Sequence, residues 1–373
     1  MDQHRILGMA LSFMPGMNAS FVRHMQEAGV SVEEFFSSGQ QELSARLDVR
    51  ITPILDRMTR DEALFKARNE AGFMERHGIV SRSLTDEDYP ARLSDIDRAP
   101  VTLYCLGSAD LDPDRIMSIV GTRHATAYGM RYVAGLVEDM ASYFPGMTIV
   151  SGLALGIDSA AHEAALKFGL PTVAVVAHGL NTIYPAQNRD LARRIIAAGG
   201  AIVSEYPSGV PPYRSRFLER NRIVATMTDA VLVVESAEKG GAMSTAAVAS
   251  SYGRELIALP GRIGDEMSAG CNRLIRSQKA LMAGGAADIM AMLGWQPEAV
   301  AVASRQRDLF PELIGRQKLI YDALRQTPEP MPVDAVRERT GIPIRDLIAD
   351  LGEMEFDGIV ERLPGNRFVL IAY

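Results

Sequence analysis

The chain has 373 residues, 47% of them hydrophobic and 23% charged, a balance that excludes a disordered polymer and predicts two or three folded domains. No apolar run approaches the roughly 18 residues of a membrane span, the opening MDQHRILGMALSFMPG lacks the pattern of a secretory signal, and the only cysteines, Cys105 and Cys271, stand far apart, which excludes a disulfide framework and a Cys/His zinc site. The net charge of −7 excludes a coat of basic surface, but residues 113–295 hold 17 Lys and Arg against 15 Asp and Glu while the flanks hold 22 against 31, so a polyanion would be drawn to the centre. A cytoplasmic protein is expected, with no metal, no cofactor and no membrane contact.

In chain order, residues 1–75 carry apolar positions at helical spacing, with the turn Pro15-Gly16-Met17-Asn18 between two periodic runs and Gly29 or Gly39 as stops. A small helical module is predicted. It is either a helix-hairpin-helix touching a DNA backbone or, as is commoner for helix pairs joined by Pro-Gly, a packing module. Residues 78–112 alternate short β-type runs with turn residues such as Asp88-Tyr89-Pro90 and extend the domain that follows. In that domain, predicted over 76–295, IMSIVG, MTIVSG, TVAVVAHG, AIVSEYP, AVLVVES and ELIALPG are continuous apolar runs that each lead into a turn. Buried parallel strands read this way, because helices cover both faces of their sheet. Residues 296–312 read as a linker, and residues 313–373 as three helices followed by two strands around Pro364-Gly365-Asn366, a winged-helix order. The predicted fold class is therefore α/β: an extended Rossmann-like, doubly wound domain flanked by a small N-terminal helical domain and a C-terminal winged-helix-like domain. The third helix of the last domain carries Arg345 but also Asp346, Asp350, Glu353, Glu355 and Asp357, an acidic face that phosphate would repel. A protein contact or a structural role is expected there.

Open α/β sheets bind ligands outside the carboxyl ends of their strands, where helix N-termini present free N–H groups. Three turns at such ends hold candidates. Gly121, Thr122 and Arg123 form the first: glycine lets backbone approach a ligand and Arg123 supplies a fixed cation suited to phosphate, although the further glycines of a dinucleotide fingerprint are missing. Ser151, Gly152 and Gly156 belong to the second, which leads into Asp158 and His162. There Asp158 reads as a helix cap and His162 as a packed helix residue; the alternative is a phosphate cradle in which His162 adds a proton or a hydrogen bond. Lys239, Gly240 and Gly241 form the third, without the Gly-Lys-Ser/Thr of a Walker loop. Between these turns lie Tyr184, Asn188 and Arg189, and then the densest basic stretch, Tyr213 to Arg222, which contributes Arg220, Asn221 and Arg222. Nearby tyrosines could stack on unpaired bases. No Gly-x-Ser-x-Gly elbow or His-Glu-x-x-His occurs, and Glu205 and Glu235, at strand ends, have no evident partner for general-base chemistry.

Taken in order, these segments resemble the DprA family of bacterial DNA-processing proteins, also called Smf. The resemblance rests on Tyr89-Pro90, Ile119 to Arg123, Ile149 to Asp158 with Ala161-His162, Tyr184-Pro185 with Asn188, Ser204-Glu205, Arg220-Asn221-Arg222, Leu259-Pro260-Gly261, and Asn272 with Leu274-Ile275. It is strong over about 90–290 and loose in the flanks. It implies a non-catalytic protein that binds single-stranded DNA on an extended Rossmann-like domain and dimerises through that domain. It also implies loading of RecA during natural transformation, with displacement of single-strand-binding protein. Arg123 as the main phosphate contact, and Arg189 as a second cation, follow from the resemblance. The chain departs from the family at Gly240-Gly241-Ala242, where Ser-Gly-Ser is usual, and at Gln278-Lys279-Ala280, where Gly-Ala is usual. The alternative is a nucleotide or nucleoside-phosphate hydrolase similar to the lysine-decarboxylase-like Rossmann proteins, whose Pro-Gly-Gly-x-Gly-Thr turn is only partly matched between Lys239 and Thr245.

Overall fold

The computed structural model describes residues 2–297, 313, 315–325, 330–356, 359–363 and 365–370. They belong to two compact units, Met1–Glu298 and Ala299–Tyr373. The linker expected at 296–312 lies, from residue 298 on, outside the described residues.

The first unit opens with α1 (Gln3–Phe13), α2 (Ala19–Glu27), α3 (Val32–Ser37), α4 (Gln40–Leu47), α5 (Thr52–Leu55) and α6 (Arg60–His77). Their starts follow from local chemistry. Asn18 accepts a hydrogen bond from the Phe21 N–H, and the pairs Ser31/Glu34 and Thr59/Glu62 close capping boxes. These helices pack on the sheet that follows: Leu7, Met9, Leu11 and Met74 share one apolar core with Ile79 and Leu103. A Cβ at Gly8 would come within 2.8 Å of Ser83, so α1 lies directly on the first strand. Glu70 of α6 reaches across to accept from the Ser208 N–H and hydroxyl at 2.8 and 2.6 Å.

Among the described residues, nine strands form one sheet: β1 (Ile79–Ser83), β2 (Thr102–Gly107), β3 (Ile116–Val120), β4 (Thr148–Ser151), β5 (Thr172–Val175), β6 (Ala201–Ser204), β7 (Ala230–Val233), β8 (Glu255–Ala258) and β9 (Leu281–Met282). The order is β1-β2-β6-β5-β4-β3-β7-β8-β9. Pairs from β6 to β9 are parallel, and β2 and β1 are added antiparallel at the β6 edge. The helices are α7 (Ala91–Ser94) before β2, then α8 (Ala127–Tyr143), α9 (Ile157–Lys167), α10 (Arg189–Ala197), α11 (Arg214–Thr226), α12 (Gly241–Ser251), α13 (Ala269–Arg276) and α14 (Ala286–Leu293), one after each strand from β3 to β9 in turn, with α8 following β3.

Alternation along β3 shows why its apolar run is unbroken. Met117 and Ile119 pack with Val133, Leu136 and Met140 of α8, whereas Ile116 and Val120 point to the opposite face, toward Val224 of α11 and Ala246 of α12. Each such fully buried side chain contributes about 1.5–3 kcal/mol. From β3 the chain winds one way through β4, β5 and β6, then crosses back to β7 and winds the other way through β8 and β9. The carboxyl ends of β3 and β7 therefore flank the point where the winding reverses, which is where open α/β sheets hold ligands.

The second unit contains α15 (Arg316–Arg325), β10 (Met331–Pro332), α16 (Val333–Thr340), α17 (Ile344–Phe356), β11 (Val360–Leu363) and β12 (Arg367–Leu370). Its three strands pair in the order β10-β12-β11 around a core that includes Ile320, Leu324, Val336, Leu347, Leu351 and Phe368. Gly341 ends α16 in the left-handed conformation at φ 69°. This is the predicted winged-helix order, with one short strand, β10, that two residues of sequence do not announce.

Candidate functional site

A cleft of 1080 Å³ opens at the carboxyl ends of β3 and β7. Its walls come from the β3–α8 and β4–α9 turns, the start of α11 and the start of α12. The first turn is held by backbone: Thr122 N–H donates to the Glu235 carbonyl at 2.7 Å, and the Thr122 carbonyl accepts from Ile157 N–H at 3.1 Å. The glycines here make room for protein atoms as well as for a ligand. A Cβ at Gly121 would meet Ile157 at 2.5 Å, and one at Gly156 would lie 2.2 Å from the Thr122 carbonyl, at a φ of +80° that other residues resist. The Gly152 position is filled by Arg220 and Asp158, whose side-chain atoms lie 2.6–2.7 Å from where its Cβ would be.

Arg220 is the buried centre of the cleft floor, 5% exposed. Its guanidinium donates to the Gly152 carbonyl at 2.7 Å and to the Val175 carbonyl, while its Nε has no partner. Burial pushes its pKa down to about 10, opposed by Asp158, so it keeps its charge at neutral pH. Burial pushes the Asp158 carboxyl up and Arg220 pulls it down; its Oδ2 accepts from the N–H groups of Gly152 and Ala154 at 3.1 and 3.3 Å. Asp158 thus orders the turn before α9 and is not the cap read from sequence: the N-cap position is Gly156, and Asp158 is the second residue of the helix.

Above this floor stand exposed cations. Arg123 lies 5.7 Å from the centroid of the Phe217 ring, and Arg214, at the first position of α11, and Lys239 line the same cleft. The lining contains four Lys or Arg side chains against one Asp, in a chain whose net charge is −7. Low-dielectric walls of one sign focus the field on an incoming anion. At the far side α12, 11 residues long, begins at Gly241 with no side-chain cap on its N-terminus, and Gly240, Gly241, Ser244 and Thr245 face the cleft. Free N–H groups at a helix start bind anions. Aromatic rings complete the wall: Tyr184 is 46% and Tyr213 65% exposed, and Tyr184 and Phe217 sit 5.7 Å apart.

The structure gathers Gly121, Thr122, Arg123, Gly152, Tyr184, Arg220, Asn221, Lys239, Gly240 and Gly241 in this lining. Other candidates stand apart from it. Ser151 is buried and donates to the Ile119 carbonyl at 2.6 Å, and Asn188 is buried and donates to the Leu153 carbonyl at 2.8 Å and to Ser159 at 2.9 Å. Arg222 makes a bidentate pair with Glu205 at 2.8 and 2.6 Å and donates to the Arg98 carbonyl at 2.8 Å. Arg189 is exposed at the start of α10, outside the lining. Arg214, Tyr213 and Phe217 were not singled out individually in the sequence. The signal was there: Arg214, Phe217, Leu218 and Asn221 stand at i, i+3, i+4 and i+7, one face of a helix, and all four line the cleft.

The carboxylates at strand ends are engaged. Glu205 holds Arg222, and Glu235, 3% exposed, accepts from the Thr126 N–H and hydroxyl at 2.9 and 2.5 Å, which fixes the start of α8. His162 is buried, bonded through Nδ1 to Thr172 at 2.7 Å, and burial pushes its pKa down to about 3. It is a neutral core residue at neutral pH. Among the described residues no group of three or more His, Cys, Asp and Glu side chains could hold a metal ion, and no helix is long and apolar enough to cross a membrane.

A doubly wound α/β sheet with a cation-lined cleft at its reversal point, in a chain that also carries a winged-helix unit, defines the architectural class. The family described as DNA recombination-mediator protein A matches residues 81–294, and the DprA winged helix domain matches residues 311–366. The chain belongs to this DprA/Smf family. It is 37% identical to Protein Smf of Escherichia coli over 290 residues, 75% of this chain and 74% of that protein, and 37% identical to a putative DNA processing protein DprA of Mycobacterium tuberculosis over 284 residues, 76% and 72% of the two chains. Its fold matches DprA of Streptococcus pneumoniae with a TM-score of 0.63 at 30% identity, covering 78% of this chain and 98% of that one. DNA processing protein A of Helicobacter pylori, a structure concerned with a single-stranded DNA binding mode, matches with a TM-score of 0.52 at 32% identity, covering 58% and 95%.

Proposed function

We propose that the cleft binds single-stranded DNA and that the chain delivers the strand, chemically unchanged, to a RecA-type recombinase while single-strand-binding protein is displaced. The observation that carries this reading is the pairing, on one face of α11, of Arg214 with Phe217, opposite Arg123 and the free N-terminus of α12. Cations and N–H groups meet phosphate without reading sequence, and exposed rings stack on bases that a duplex keeps hidden. The single-stranded DNA binding of the Helicobacter pylori relative supports the same reading. Homodimerisation through the Rossmann-like domain and a cytoplasmic location, both implied by the family, complete the proposal.

Two measurements test its two halves. Ultraviolet crosslinking of a halogenated dT strand should map to peptides containing Tyr184, Tyr213 or Phe217; crosslinks confined to the second unit would overturn the assignment of the cleft. Formation of RecA filaments on strands covered by single-strand-binding protein should be accelerated by the chain and much less by its Arg123→Ala variant. No acceleration by a chain that binds the strand would leave the binding half standing and remove delivery.

A further inference from the structure

The outer face of α17 has no partner in its own unit. Ile344 and Ile348 are 39% and 57% exposed, and Arg345, Ala349, Gly352 and Glu355 are exposed beside them. On the flank toward α15, Asp346 and Asp350 meet Arg316 at 3.0 and 2.8 Å and Glu353 accepts from the Gln317 amide at 3.0 Å, while Asp357 lies outside the described residues. One arginine thus meets two of the acidic residues and a neutral amide a third, so this flank is engaged within the unit. What α17 offers outward is one Arg, one Glu and an apolar centre, a poor match to phosphate.

That outer face is symmetric about the level of residue 350. Arg345 and Glu355 stand five residues to either side, and Ile348 and Gly352 two residues to either side. At 1.5 Å of rise per residue the charges are about 15 Å apart along the axis and the Ile–Gly pair about 6 Å. Nothing lies within 4 Å of the point where a Cβ would project from Gly352, so the surface is open there. Arg345 and Glu355 have no ion partner among the described residues.

We propose that this face is an interface between two copies of the chain, formed by α17 packing antiparallel on α17 about a two-fold axis. The two-fold turns one helix end for end. It sets Arg345 against Glu355 of the second copy twice, and seats Ile348 in the open space over the second copy's Gly352 twice. A parallel pair would instead bring like charges together. This interface belongs to the second unit, shares no residue with the cleft lining and does not rest on what the cleft binds.

The test uses the full chain. Cys105 and Cys271 are both buried, so a cysteine introduced by Ala349→Cys is the accessible thiol, and a short bis-maleimide should convert that variant to a covalent dimer. Asp334→Cys, on the exposed side of α16, should crosslink far less. Adding Arg345→Glu to Ala349→Cys places like charges opposite each other and should cut the crosslinked fraction by about five-fold, and adding Glu355→Arg as well should restore it. Single-strand binding, measured on every variant, should be unchanged and reports that each is folded. Crosslinking no greater than at position 334, or indifferent to the charge reversals, would overturn the proposal. So would protection of the introduced thiol by added duplex DNA, which would make α17 a groove-binding helix.

Discussion

Gly152 and Arg220 occupy one space. The glycine has no side chain because the guanidinium and the Asp158 carboxylate already fill its Cβ position. Gly152→Ala should therefore cost about 1–3 kcal/mol of stability through overpacking in a floor that has no room to give; urea unfolding checks it, and an unchanged midpoint would show that Arg220 moves freely. His162 gives a second residue-scale test. Its pKa is near 3 in the folded chain and about 6.5 when unfolded, so as pH falls through this window the unfolded chain takes up a proton that the folded chain refuses, and stability drops. Asp158, whose carboxyl is pushed up, acts in the opposite sense and is common to both chains compared. His162→Leu removes the acid-side loss and leaves the Thr172 hydroxyl donating to the Ile149 carbonyl. The variant's stability relative to the parent should therefore rise between about pH 7 and pH 4 in denaturant titrations. A constant difference would exclude His162 as the group responsible.

At the scale of elements, α11 turns a charge-dense stretch into separate roles. Arg214 projects into the cleft, Arg216 donates to the Pro211 carbonyl at 2.6 Å, Arg220 is buried under Gly152, and Arg222 is held by Glu205. Arg123→Ala and Arg214→Ala should each weaken binding to a dT strand by a similar factor for any sequence, and each should make the salt slope shallower by about 0.7, the share of one phosphate neutralised on a single strand. Arg189→Ala, outside the lining, should change affinity less; anisotropy titrations on the three variants decide. Strands β3 to β8 were legible because parallel strands buried on both faces leave unbroken apolar runs, and the three turns because glycines mark strand ends; β9, two exposed residues long, leaves no such run. Which arginine faces the cleft was not legible from charge density, since helical phase rather than proximity in sequence sets direction. The N-terminal helices were legible as helices. Their shared core with β1 and β2 depends on contacts such as Gly8 on Ser83 and Glu70 on Ser208, which join segments far apart in the chain. For α17 the composition was legible, but its pairing with Arg316 was not, because that arginine lies 30 residues away.

Across the whole molecule, charge is arranged against its own sum. The chain is acidic, yet the cleft lining carries four cations against one carboxylate, one of the four buried beneath the surface. Exposed rings in the same cleft suit bases that are not already paired. Single-strand affinity should then come from a few phosphate contacts plus stacking, independent of sequence and sensitive to salt. The direct measurement is fluorescence anisotropy of a labelled poly-dT strand and a matching duplex across a salt series. Three exposed cations predict tight binding to the strand, weak binding to the duplex and a slope of log affinity against log salt near about −2. Absence of strand binding at low salt, or equal affinity for strand and duplex, would contradict the account.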